Sequence, residues 1–395
     1  MARVEALITP SVLKWARERS GFSVEVAAKK IGRPVAEILM WENGESRPTI
    51  PQARKAAEAY KRPLAVFYLP EPPRDFETLR DFRSLPVGHS PEFSSELSLL
   101  VRTAQYRMEW MSDFLQSEGV EPLEFVGSIT LQSDPKEASQ KIVNVLKIAP
   151  DEQTQCRTRG DALRMWIEKA EKAGIYIFRQ GQISLKEARG FVLCDDYSPF
   201  IYINSEDAKA AQLFTLAHEL AHLWLKQGGI SNLEPVEAGI RNDASHIEIY
   251  CNQVASELVL NRPLFDYKLR QIDQSEPLHD RIEGLSGFFK VSEEVIARRM
   301  LSDELISPDT YEDLRQHYQD RWKSIKEQRR SKMKARDGGP SYYVTKAFNN
   351  GYAFTQTIVS AYESGSVSGR EASGLLDVKI NNIRKLANSA GMTFF

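Results

Sequence analysis

Four consecutive runs decide the fold: GIYIFR (174–179), GFVLCD (190–195), PFIYIN (199–204) and SEDAKAAQLFTLAHELAHLWLK (205–226). The first three are β-rich, with alternating or continuous apolar positions between turn residues, and predict a small sheet over about 175–203. In the fourth the period changes to that of a helix. Ser205 reads as its N-cap, with Glu206 and Asp207 in the first turn. Inside this helix stands His218-Glu219-Leu220-Ala221-His222. Residues four apart share a helix face, ~40° apart in azimuth and one turn, ~5.4 Å, apart along the axis. Two imidazoles so placed can bind one Zn2+ at ~2.0–2.1 Å. Glu219, on the shoulder of that face, is placed to take a proton from a water whose pKa the metal lowers to about 7. The flanking Leu213, Phe214, Leu216, Leu220, Leu223 and Leu225 bury the helix, and buried histidines need partners.

A third ligand is expected from a later helix, predicted over about 244–260. SHIEIYCNQVASELVL (245–260) offers His246, Glu248 and Glu257. Glu248 and Asn252 are spaced i, i+4, so Asn252 can hydrogen-bond behind Glu248 and orient it. Two histidines and a glutamate with an open fourth position form the hydrolytic zinc pattern. His246 is the alternative, as a ligand or as an oxyanion donor.

Upstream, residues 1–70 read as short helices with tight breaks. Pro10 suits a first helical position, Ser23 an N-cap, and Gly32 and Gly44 helix stops, with Pro34 opening the helix between them. A fourth helix is expected from about Gln52 to Tyr60. These seventy residues hold twelve Lys and Arg against seven Glu, a local +5 that suits phosphate contact. Prolines 70, 72, 73 and 86 then mark an extended linker. Helices are predicted at about 94–118, 135–147, 158–173 and 292–305. The basic run Lys323–Arg336 reads as a solvated helix end before GGP (338–340), and the last fifty residues as a small helical unit.

Composition bounds the rest. With 395 residues, 42% hydrophobic and 27% charged, the chain has room for two or three globular domains. Its 52 basic and 54 acidic side chains give −2, which excludes a histone-like polycation. No apolar run reaches the ~18–20 residues of a membrane span, and the N-terminus lacks a signal-peptide pattern. Cys156, Cys194 and Cys251 are odd in number and widely spaced, so a reducing cytoplasm is the expected location.

Two resemblances follow from these residues. AHELAHLWL with EIYCNQVASELVL resembles the ImmA/IrrE metallopeptidases over about 75–305. The resemblance implies zinc ligation by His218, His222 and Glu248, with Glu219 as the base. Val254, Ser256 and Asn261 depart from that family's usual phenylalanine, alanine and proline, and touch packing and the helix end. SVEVAAKKIGRPVAEILMWENGESRPTIPQARKAAEAY (23–60) resembles the Xre/Cro/CI-type helix-turn-helix. Ala27 allows close helix crossing, Gly32 makes the turn and Trp41 anchors the recognition helix. This places DNA contacts at Lys29, Lys30, Arg33, Val35, Ala36 and Glu37.

The expected architecture is mainly α with an α+β zincin-like domain. It comprises a helix-turn-helix (1–70), a Pro-rich linker (71–93), a zinc-peptidase domain with a small sheet (94–310) and a C-terminal helical segment (311–395). The expected function is a transcriptional regulator with a zinc-dependent endopeptidase domain, serving as antitoxin or regulator of a toxin–antitoxin or mobile-element module. Its partners would be operator DNA and a toxin or repressor protein, with no membrane and as a homodimer. The alternative is an active zinc endopeptidase that cleaves a repressor and uses its helix-turn-helix for protein contact.

Overall fold

The structure, a computed structural model, describes residues 5–60, 62–73, 80–81, 94–231, 243–273, 275–334 and 341–391. Most of the expected linker and the GGP boundary lie outside these residues. The chain divides into two compact units, Met1–Leu79 with Leu85–Tyr106, and Arg80–Ser84 with Arg107–Phe395.

The first unit is built on α1 (Pro10–Glu18), α2 (Val24–Ile31), α3 (Val35–Asn43) and α4 (Ile50–Ala59), closed by a 3-10 turn at Leu64–Tyr68. Its caps act as the sequence foretells. Pro10 opens α1, and the Ser23 hydroxyl accepts the Val26 N–H at 3.3 Å. Gly32 and Gly44 end α2 and α3 at φ 72° and 77°, a region glycine enters without Cβ strain. Ala27, Ile31, Ile38 and Trp41 turn inward onto Val12, Leu13, Ala16, Tyr60 and Phe67. Arg17 clamps α1 to α3, donating from Nε and Nη2 to the two carboxylate oxygens of buried Glu42 at 2.7 and 2.9 Å. One of the basic side chains behind the local +5 is therefore neutralised inside the module.

Helix α5 (Ser95–Ser117) follows in sequence, and then α6 (Pro135–Leu146), the single turn α7 (Glu152–Gln155) and α8 (Arg159–Lys172). Among the described residues the sheet of the second unit has five strands: β1 (Arg80–Asp81), β2 (Tyr176–Gln180), β3 (Gly190–Leu193), β4 (Phe200–Asn204) and β5 (Gly229–Ser231). Their spatial order is β1-β5-β3-β4-β2. β2 runs parallel to β4 and β1 to β5, while β3 is antiparallel to both β4 and β5. The sheet is thus wider than 175–203, because β1 and β5 are too short to show a period in sequence.

Behind it lies α9 (Lys209–Trp224), buried at every residue from Thr215 to Trp224, so it is the core element of this unit. Its start corrects the expectation. The helix begins at Lys209 with Ala208 as N-cap, and Ser205, Glu206 and Asp207 precede it. Gln212 Nε2 donates to the carbonyls of Ser205 and Asp207, and the Asp207 carboxylate takes the Ala208 N–H and pairs with Arg189. These bonds hold the stretch as a turn after β4.

α10 (Asp243–Val259) packs along α9, where Ala217, Ala221, Cys251 and Ala255 are fully buried. Small side chains on a facing surface permit a close helix approach. α11 (Arg262–Gln271), α12 (Leu278–Phe289), α13 (Glu293–Ser302) and the long α14 (Pro308–Lys334) follow, and Phe265, Ile282, Phe289 and Ile296 join the same core. α15 (Tyr342–Asn350), α16 (Tyr352–Glu363), α17 (Gly369–Leu376) and α18 (Ile383–Ser389) belong to the same unit as the sheet. Phe354 of α16 packs on Tyr176, Phe178 and Phe200 of the parallel pair β2–β4. Beside it Glu171 is pushed up to about 7 by burial, a rise only partly offset by the backbone N–H of Ala353 and the charge of Arg179.

Candidate metal centre

The tertiary structure brings the HExxH helix and α10 together at three side chains. His222 Nε2 lies 3.0 Å from His218 Nε2 and 3.0 Å from Glu248 Oε1, and His218 Nε2 lies 3.4 Å from Glu248 Oε2. All three residues are buried, and among the described residues they form a cluster able to hold a metal ion. Of the three glutamate and histidine candidates on α10, Glu248 is the one delivered here. His246 is exposed, and Glu257 is committed to Arg299 Nη1 at 2.5 Å. Asn252 is half-buried one turn beyond Glu248, and among the described residues no hydrogen bond joins the two.

The donor set fits a zinc ion. Four ligands at ~2.0–2.1 Å in a tetrahedron stand about 3.3 Å apart, and the three observed separations bracket that spacing. His222 Nδ1 faces the carbonyl of Gln227 at 3.2 Å. Donation there leaves the Nε2 lone pair aimed into the cluster, which fixes tautomer and ring direction. Two ring nitrogens and a carboxylate converging in a dry space need a cation or a proton between them. Burial pushes the Glu248 carboxyl up, but the neighbouring imidazoles, by charge and hydrogen bonds, outweigh it and hold the carboxyl at about 2.

Glu219 follows His218 on the same helix and is fully buried. Its position is set by a residue that the motif does not contain. A Cβ on Gly190, in the middle strand β3, would stand 2.7 Å from Glu219 Oε1 and 2.6 Å from Thr215 Cγ2. The carboxylate thus rests on bare backbone, in space that only glycine leaves open. A glycine opening an apolar strand is a signal of close approach, and here α9 is what approaches. Cys194, at the end of that strand run, is pushed up to about 12 by burial, with the Glu219 charge adding to the shift.

In the first unit, Lys29, Lys30, Arg33, Val35 and Ala36 are all exposed. Glu37 is not free to read a base: it accepts from Gln52 Nε2 at 3.1 Å and lies 3.9 Å from Arg33 Nη1. The exposed face of α3 continues instead through Leu39 and Met40, 42% and 40% accessible.

A buried helix behind a mixed sheet, bearing two histidines that meet a glutamate from the next helix, defines a zincin-like metallopeptidase domain. Comparison with known families agrees. Residues 170–301 match the family model described as the IrrE N-terminal-like domain, a peptidase family, and residues 13–67 match a helix-turn-helix family. The chain carries an Xre-type helix-turn-helix fused to an IrrE/ImmA-like peptidase domain. No curated protein matches it. No helix among the described residues is long and apolar enough to cross a membrane.

Proposed function

We propose that this chain is a helix-turn-helix transcriptional regulator whose second unit is a zinc-dependent endopeptidase. The observation that carries this reading is the convergence of His218 and His222, which flank Glu219 on the buried helix α9, with Glu248 of α10. Zinc, when bound, supplies a Lewis acid that polarises a peptide carbonyl and acidifies water. Glu219 is then the proton acceptor, and in the second half of the reaction it returns the proton to the leaving amine. His218, His222 and Glu248 would hold the ion. Gln227 orients His222, and Gly190 leaves room for the base. The first unit presents Lys29, Lys30 and Arg33 to the phosphates of operator DNA, as a homodimer on paired half-sites. Within this reading the partner protein is a toxin that the chain restrains, or a repressor that it cleaves, in the cytoplasm.

A second reading is favoured by one specific feature, the exposed apolar face of Val35, Leu39 and Met40 on α3. Such a face suits protein contact, and the chain is then an active endopeptidase that uses its helix-turn-helix to hold a repressor. The test has two arms. The zinc-loaded chain and its Glu219→Gln form are incubated with the neighbouring gene's product, and zinc-dependent fragments are sought. The full chain is also titrated on its upstream DNA at two salt concentrations. Fragments from the unaltered chain alone support the peptidase. Without cleavage of any neighbouring product, the hydrolytic half of the proposal fails. A retarded band that weakens steeply with salt supports the regulator, whereas none at low salt leaves the second reading.

A further inference from the structure

The last helices of the second unit repeat the build of the first unit's helix-turn-helix, each position 345 residues further on. In the first module Ser23 caps α2, eight residues long, which ends at left-handed Gly32 (φ 72°, ψ 46°). Pro34 (φ −60°, ψ 146°) then opens α3. In the second, the Ser368 hydroxyl accepts the Glu371 N–H at 3.2 Å and caps α17, also eight residues long. α17 ends at left-handed Asp377 (φ 50°, ψ 51°). Lys379 (φ −62°, ψ 144°) then opens a 3-10 turn, Ile380–Asn382, that runs directly into α18. The core positions coincide as well. Ala27 and Ala372, Ile31 and Leu376, Ile38 and Ile383, and Trp41 and Leu386 are all buried to 2% or less. From Ser23/Ser368 to Trp41/Leu386 the two share one exposure pattern, departing only at Ala28/Ser373, Lys30/Leu375 and Arg33/Val378.

What differs is the exposed face. Where the first module displays Pro34, Ala36, Leu39 and Met40, the second displays Lys379, Asn381, Arg384 and Lys385, all exposed. An asparagine amide matches the major-groove edge of adenine, arginine and lysine match guanine, and both cations also suit phosphates. The two acids of the module are engaged elsewhere. Glu371 accepts from Trp110 Nε1 at 3.2 Å, and Asp377 pairs with Lys346. From Val378 to Gly391 there is no acidic residue.

We propose that residues 368–389 are a second helix-turn-helix, which lays its Ile380–Ser389 segment into the major groove of duplex DNA. The repeated caps, turn and core make the scaffold, and the basic, amide-bearing face makes it complementary to DNA. The first module, with its apolar face, is the poorer reader of the two.

The test compares full-length proteins in selection from random duplex DNA, followed by salt titration. One variant carries Asn381→Ala, Arg384→Ala and Lys385→Ala. Another carries Lys29→Ala, Lys30→Ala and Arg33→Ala. The first variant should lose one selected sequence element and bind roughly tenfold or more weakly. The slope of log K against log salt should fall by about 2, since each lost phosphate contact is worth about 0.9. Equal thermal midpoints verify folding, and Arg384→Lys with Lys385→Arg should restore the slope, which a structural role does not require. Loss of binding in this variant alone also supports the proposal, and moves DNA reading wholly to the second module. Unchanged affinity, slope and selected sequence in the first variant, with binding lost in the second, overturns the proposal and leaves the N-terminal reading intact.

Discussion

Replacing Gly190 with alanine tests how the proposed base is positioned. Gly190 has no positive φ, so alanine suits the backbone and the perturbation is one of space alone. The new Cβ would meet Thr215 Cγ2 at 2.6 Å, Glu219 Oε1 at 2.7 Å and the Tyr202 carbonyl oxygen at 3.1 Å. β3 is paired on both edges and Tyr202 O is backbone, so the strand has little room to retreat. The Glu219 carboxylate must then move by about 0.7 Å to regain ordinary contact, roughly 3.4 Å between heavy atoms. Overpacking of this size costs about 1–3 kcal/mol, offset by up to about 1 kcal/mol of backbone entropy that alanine saves over glycine. The second unit should therefore melt lower, by up to about 6 °C. Displacing a catalytic group by this much costs on the order of tenfold to a hundredfold in rate. Zinc content should stay near one per chain, because the atoms nearest the new methyl belong to Thr215, Glu219 and Tyr202 and to none of the three ligands. Adding Thr215→Ala removes one clash and should recover part of the midpoint without recovering hydrolysis. An unchanged midpoint and an unchanged rate in Gly190→Ala would refute the account of how Glu219 is held.

Three further outcomes are expected. His218→Ala and Glu248→Ala should each drop zinc well below one per chain by elemental analysis, while Glu219→Gln keeps it. Full occupancy in Glu248→Ala would move the third ligand elsewhere. Glu42→Ala strands the buried Arg17 guanidinium and should destabilise the first unit by about 3–5 kcal/mol in urea melts, with zinc content unaffected. Glu171, raised in the folded state from 4.5 to about 7, contributes stability that is full below about pH 4.5 and lost as pH climbs through 7. Glu171→Gln should flatten the pH dependence of the second unit's urea midpoint across that window, and an unchanged profile would exclude the group.

The local chemistry of this protein was readable from its residues, because caps, turns and helical stripes are interactions between near neighbours in the chain. Ser23, Gly32, Gly44 and the HExxH helix needed nothing beyond their own windows. The start of α9 did not follow that logic. Ser205 has the chemistry of an N-cap, but Gln212 takes up its carbonyl and the helix begins at Lys209. The choice among His246, Glu248 and Glu257 also lay beyond spacing, since only the packing of α10 on α9 decides which side chain meets the histidines. Gly190 shows the same division, a glycine opening a strand whose purpose appears only when Glu219 lies against it. The second helix-turn-helix has no αL glycine and no tryptophan to announce it, and Asp377 and Leu386 serve in their places. Sequence alone determined which residues can cap, turn and ligate. Which of them meet was decided by burial and close packing between segments far apart in the chain, and no local window holds that information.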